Sequence, residues 1–157
     1  MIRSFCSFYD IDYKGAICKD DFNRDAFRDN VTVKELGYFI SKIRYKLHVS
    51  NKEIISQYFR INSMKIGGGC NICCNIMTSE PYLIRIGENV TISGNVTFVT
   101  HDNSISKVSP QYANLFGYIE IGDNCFVGQN STIMYGCILA NNIIIASGSV
   151  VCNSFTE

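Results

Sequence analysis

Net charge is the first thing this sequence lacks: fourteen Lys and Arg balance fourteen Asp and Glu. No basic stripe or acidic tail stands out, which makes nucleic acid a poor partner. Charged residues are only 18%, below the usual quarter. So neutral a surface does little to hold copies apart, which suits an oligomer. No apolar run approaches the roughly 18 residues of a membrane-spanning helix. No charged n-region followed by an apolar h-region opens the chain either, so a soluble, cytoplasmic protein with no membrane insertion is expected. Proline and histidine are both scarce, at two residues each. Cysteine is not, with eight, yet Cys73 and Cys74 are adjacent and the others lack the spacing of a disulfide scaffold. No CxxC has a matching partner pair, so no metal is expected and the thiols read as small buried hydrophobes.

What the sequence does have is a repeat. Every sixth residue from Ile121 is aliphatic: Val127, Ile133, Leu139, Ile145 and Val151 follow without a break. Stepping by six from Ile86 gives Ile92 and Phe98, and Ile66 and Ile72 form a third run. The next position is small in most blocks, as at Gly67, Gly87, Gly122, Gly128, Ala140 and Ala146. Four residues after the aliphatic comes a compact side chain, such as Cys70, Val90, Cys125, Ser131 or Cys137. Glu, Asp, Asn and Gln fill the places between.

Three short strands per turn of 18 residues make a triangular coil, with successive coils spaced about 4.8 Å apart like strands in a sheet. The aliphatic of each block points inward and stacks on its equivalent in the next coil. Gly and Asn tolerate the turn dihedrals at the corners. Each coil buries its apolar side only against its neighbours, so stability accrues by stacking. The expected architecture is mainly β: a left-handed parallel β-helix of hexapeptide repeats over 61–157, with a small N-terminal helical cap in 1–60. The handedness follows from the resemblance described below, since periodicity alone does not fix it.

Both prolines, Pro81 and Pro110, fall in breaks of the repeat. The first break, Thr78 to Arg85, is short. The second is a long insertion over 99–120 holding His101, Asp102, Tyr112 and Phe116, and an insertion of that size in a regular coil points to function.

Upstream, Thr32 with Glu35 makes a capping box, and Val33, Leu36, Phe39, Ile40, Ile43 and Leu47 follow at helical spacing. Ser50 with Glu53 caps a shorter helix through about Tyr58. Such helices close the open first coil, as the ends of solenoids must be closed. Asp10, Asp12, Gly15, Ile17 and Asp21 loosely imitate a calcium loop, but Lys14 stands where an oxygen ligand is needed, and a solvated turn is the better reading.

The stretches "IRIGENVTISGNVTFVTHDNS" and "IEIGDNCFVGQNSTIMYGCILANNIIIASGSVV" resemble the hexapeptide-repeat acetyltransferases. More narrowly, they resemble the sugar O-acetyltransferases of polysaccharide biosynthesis, over residues 66 to 156. The resemblance implies an acyltransferase that uses acetyl-CoA as acyl-donor substrate and a saccharide hydroxyl as acceptor. It also implies a homotrimer with active sites between subunits. His101, in "THD", takes the position of the general base, and imidazole suits the task because its pKa lies near neutrality. Asp102 or a main-chain carbonyl would hold the imidazole tautomer, although adjacent side chains on a strand point apart. Asn75 stands at the spacing of an acceptor-binding Asn. Phe126 matches an aromatic that packs on the coenzyme, while Gln129, Ser147 and Gly148 match contacts to its pantetheine arm. Cys152 corresponds to a late position on the same side, without a basic neighbour to activate it. Tyr112 and Phe116 are candidates to stack on a pyranose face or to pack the insertion.

The family's pattern continues with a Pro-Ala-Lys-like segment near the pyrophosphate, whereas this sequence stops at Glu157; either the chain is truncated or the natural product is short, and weak or absent coenzyme affinity would not be surprising. An amino-sugar N-acetyltransferase, a serine acetyltransferase and a catalytically silent β-helix scaffold are the competing readings. A zinc carbonic anhydrase on the same coil needs three histidines, and two are present.

Overall fold

The computed structural model describes residues 16–18, 31–47 and 52–156. The acidic turn at 10–21 and the Ser50 cap therefore lie largely outside the described residues. A short strand β1 (Ala16–Cys18) is followed by helices α1 (Val31–Lys46) and α2 (Glu53–Ile61). Helix α1 starts at Val31, and the side chains of Thr32 and Glu35, the expected capping box, lie outside those described. Helix α2 starts at Glu53 with Lys52 at its N-cap and no side-chain cap bond. Glu53 instead pairs with Arg60 two turns along.

The coil then runs from β2 (Lys65–Ile66) and β3 (Asn71–Ile72), through β4 (Ile84–Ile86), β5 (Thr91–Ile92) and β6 (Thr97–Val99), to β9 (Ile119–Ile121), β10 (Phe126–Val127), β11 (Thr132–Met134), β12 (Ile138–Leu139), β13 (Ile144–Ile145) and β14 (Val150–Val151). These strands form three parallel faces. The first is β12-β9-β4-β2, the second β13-β10-β5-β3 and the third β14-β11-β6. The sixth-residue aliphatics lie in register within each face: Ile66 beside Ile86, Ile86 beside Ile121, and Ile121 beside Leu139. On the second face Ile72, Ile92, Val127 and Ile145 align likewise, and on the third Phe98, Ile133 and Val151. All eleven are buried and belong to one core.

The corners explain the rest of the repeat. The third residue after eight of these eleven has a positive φ: Gly69, Asn89, Asn95, Asn124, Asn130, Gly136, Asn142 and Gly148. Glycine and asparagine are the residues that bear that left-handed conformation at least cost. The asparagines also form ladders, Asn89 Nδ2 donating to Asn124 Oδ1 at 3.0 Å and Asn95 Nδ2 to Asn130 Oδ1 at 2.8 Å. Glycine just after the aliphatic has a different cause. A Cβ at Gly122 would stand 2.7 Å from the carbonyl carbon of Ala140 in the next coil. The compact residues point into the corners, where Cys125 Sγ and Ser131 Oγ donate to the Ala140 and Ala146 carbonyls at 3.1 and 3.0 Å.

Helix α2 lies across β2 and β3 and sends Ile55 and Phe59 into the core. Helix α1 packs on α2, where Gly37 lets the Tyr58 ring approach. Its stripe Leu36, Phe39, Ile40, Ile43 and Leu47, at the helical spacing noted in the sequence, is exposed. The helix meets its neighbour through Gly37, Tyr38 and Ser41, which lie to one side of that stripe.

Candidate active site

The two breaks in the repeat leave the coil at the same corner, one coil apart. Each follows a block on the third face and precedes a strand on the first: residues 78–83 lead into β4, and residues 100–118 lead into β9. The shorter break turns through a single 3-10 turn, Pro81–Leu83, with proline at its first position, where a missing N–H costs nothing. The longer break folds back as an antiparallel pair, β7 (His101–Asp102) with β8 (Tyr112–Phe116), around a one-turn helix α3 (Ile105–Val108). β1 adds a third strand beyond β8.

Stacking these excursions sets Glu80 of the first beside His101 of the second. Glu80 is 3% exposed, and its Oε2 lies 2.8 Å from His101 Nδ1. A carboxylate only accepts hydrogen bonds, so Nδ1 carries the proton and, in the neutral ring, Nε2 keeps the basic lone pair. The imidazole is stacked on Phe116, its partner in the β7–β8 register, with centroids 5.3 Å apart.

Glu80 is itself held by a closed ring of hydrogen bonds. Thr100 Oγ1 donates to Glu80 Oε2 at 2.7 Å, which uses its one proton. The 2.7 Å contact between the two threonine hydroxyls is then donated by Thr78, whose Oγ1 accepts the Glu80 N–H at 3.1 Å. Burial alone would push the Glu80 carboxyl up. The hydrogen bonds from His101 and Thr100, the charge of His101 and the Thr78 hydroxyl outweigh it, and the pKa falls below the ordinary value.

Asp102 turns away from the imidazole: its Oδ1 accepts from the Ser104 N–H at 2.9 Å and from Ser104 Oγ at 2.5 Å, shaping the turn into α3. Tyr112 packs with Ile105, Leu115 and Tyr135 in a small core under the insertion. Asn75 borders a cavity of about 310 Å³ together with Thr78, Thr100 and His101, and helix α2 and its C-cap contribute Tyr58 and Asn62 to it.

Phe126, Gln129, Ser147 and Gly148 gather elsewhere. The Gly148 N–H donates to the Gln129 carbonyl at 2.8 Å, Ser147 adjoins Gly128, and Phe126 is half-exposed on β10 beside Ile144. They occupy the corner between the second and third faces, whereas His101 stands at the corner between the third and first. Cys152 is partly buried, and among the described residues no group of three or more His, Cys, Asp and Glu is placed to hold a metal ion. Burial pushes the Cys74 and Cys137 thiols up to about 11, so both stay protonated and unreactive near neutrality.

Glu80 is the residue the sequence reading missed. The signal was the repeat itself, because both breaks follow the third block of a coil and so must stack.

The sequence pattern of the bacterial transferase hexapeptide family (six repeats) matches residues 118–153. Protein CapG of Staphylococcus aureus is 34% identical over 95 residues, 57% of this chain and 55% of that protein. Galactoside O-acetyltransferase of Escherichia coli (strain K12) is 28% identical over 96 residues, 60% of this chain and 47% of the relative. The chain thus spans about half the length of the curated relatives it matches. A hexapeptide-repeat containing acetyltransferase from Vibrio cholerae superposes with a TM-score of 0.57 at 19% identity, covering 82% of this chain and 86% of the other. The same protein in complex with acetyl coenzyme A gives 0.52 at 17%, covering 88% and 86%. At that identity the structural likeness speaks for the fold, and the coil of this chain is a left-handed parallel β-helix built on the hexapeptide repeat of bacterial transferases, similar to that of the hexapeptide-repeat acetyltransferases.

Proposed function

We propose that the protein is an acetyl-CoA-dependent O-acetyltransferase acting on a sugar hydroxyl, with His101 as general base. The observation that carries this is the 2.8 Å contact between His101 Nδ1 and the buried Glu80 carboxylate, at the edge of a cavity large enough for one sugar. The contact selects the tautomer whose Nε2 carries the basic lone pair. The similarity to galactoside O-acetyltransferase and to an acetyltransferase solved with acetyl coenzyme A supports the reaction class.

In the reaction, the acceptor hydroxyl gives its proton to Nε2 as its oxygen attacks the thioester carbonyl. The C–S bond then breaks, and the leaving thiolate takes the proton back from the imidazolium. Glu80 holds the ring and steadies its transient positive charge, the task for which Asp102 was considered. Asn75 contacts the acceptor in the cavity. Gln129, Ser147 and Gly148 offer exposed backbone and small side chains along which a pantetheine arm can lie, with the Phe126 ring beside them. Their separation from His101 by a full face of the prism supports a homotrimer in which one subunit's coenzyme corner serves its neighbour's histidine.

Free thiol release from acetyl-CoA in the presence of a sugar panel tests the reading. His101→Ala is expected to lower the rate by roughly 10²- to 10⁴-fold with the fold intact. Background release from both proteins with every sugar, while both remain folded, rules it out.

A further inference from the structure

The cavity beside His101 is unequally lined. Asn75, Thr78, Ser79, Thr100 and His101 bring polar groups to it from the coil side and Asn62 from the α2 side, but most of its accessible lining is carbon, with Tyr58 and Phe59 from α2, Met77 from the coil and Pro81 from the shorter break. Its volume of about 310 Å³ is at the small end for ligand sites and suits a single pyranose.

A fully hydroxylated hexose fits such a space badly. Whichever edge presents its reacting hydroxyl to His101, the far edge carries hydroxyls that leave water for a lining that is mostly carbon, and each one that finds no partner there is costly. A methyl group in the same place gains contact and loses nothing. Resting on the reading of His101 as base, we propose that the acceptor is a sugar carrying a methyl-bearing substituent, a 6-deoxy carbon or an N-acetyl group, seated against Tyr58 and Met77. Helix α2 is then more than a plug for the open coil: it forms part of the surface that chooses the acceptor. Apolar pockets discriminate against an added hydroxyl only modestly, by about 10- to 100-fold, so the preference is graded.

Dissociation constants in the absence of acetyl-CoA test this without requiring turnover. By ligand-observed NMR, D-galactose is compared with D-fucose, its 6-deoxy form, and D-glucose with N-acetyl-D-glucosamine. At least one methyl-bearing member is expected to bind about tenfold or more tightly than its partner. Met77→Gln, close in shape and at an exposed position, is expected to shrink that gap. Equal or tighter binding of the hydroxylated sugar in both pairs overturns the inference, as does a preference that survives Met77→Gln. Absence of binding by all four also overturns it. In that last case, His101-dependent thiol release with some other acceptor leaves the proposed reaction standing, and its absence removes both.

Discussion

Glu80 is where burial and charge are set against each other. Its carboxyl titrates below its ordinary value of 4.5 because His101, Thr100 and Thr78 compensate its loss of water. A carboxyl depressed in the folded chain adds stability that is present above the unfolded value and disappears as the pH falls through the folded one. Glu80→Gln is therefore expected to unfold at lower urea than the parent at pH 7, with the gap closing below about pH 4. Urea midpoints across that range measure it, and a gap that stays constant into acid removes the linkage. The same substitution separates Glu80 from Asp102 in catalysis. Glu80→Gln is expected to lower kcat at least tenfold with the acceptor KM little changed, because it disturbs the base and not the pocket. Asp102→Asn, whose effect is confined to the Ser104 turn, is expected to change kcat less than threefold. The reverse ranking would return the orienting role to Asp102.

At the scale of elements, the coil was legible because its constraint is local and repeated. Each hexad must supply an inward aliphatic, a close approach and a left-handed corner, and few residues satisfy each demand. Asn124 illustrates the last, with φ of 56° and a side-chain bond from Asn89. Asn124→Ala is expected to cost about 1–2 kcal/mol in urea unfolding, and Asn124→Gly distinctly less, since glycine keeps the dihedral and loses only the ladder. Equal losses would place the energy in the ladder instead. Helix α1 shows where such reading ends. Its apolar spacing announced a helix correctly, but spacing does not say which face meets a neighbour, and Gly37 and Tyr38 made the contact instead of Leu36 and Ile40. The contact of Glu80 with His101 at the candidate site was half legible for a related reason. His101 stood out at the start of a long insertion, whereas Glu80 acts across 21 residues, through the stacking of two excursions whose lengths differ. The repeat lengthens from 18 residues between Ile121 and Leu139 to 35 between Ile86 and Ile121, and only a count of blocks, not of residues, aligns the corners.

For the whole molecule, the decisive question is whether one chain holds a complete site. His101 and the Gln129–Ser147–Gly148 corner stand at opposite edges of the third face, which suits a groove between prisms better than a site within one. Two inactive variants test this together. His101→Ala removes the proposed base, and Ser147→Trp fills the exposed Gln129–Ser147–Gly148 corner, the proposed place of the coenzyme, without touching the core. Each alone is expected to be inactive. In a shared-site trimer, unfolding and refolding an equal mixture places an intact histidine of one subunit against an intact corner of its neighbour at about a quarter of the interfaces, so about a quarter of parental activity should return. A site contained in one chain is defective in every subunit of the same mixture, and no activity returns. Sedimentation of the mixture fixes the meaning of that silence: a trimer without recovery makes the site internal to each prism, and a monomer without recovery removes the trimer as well.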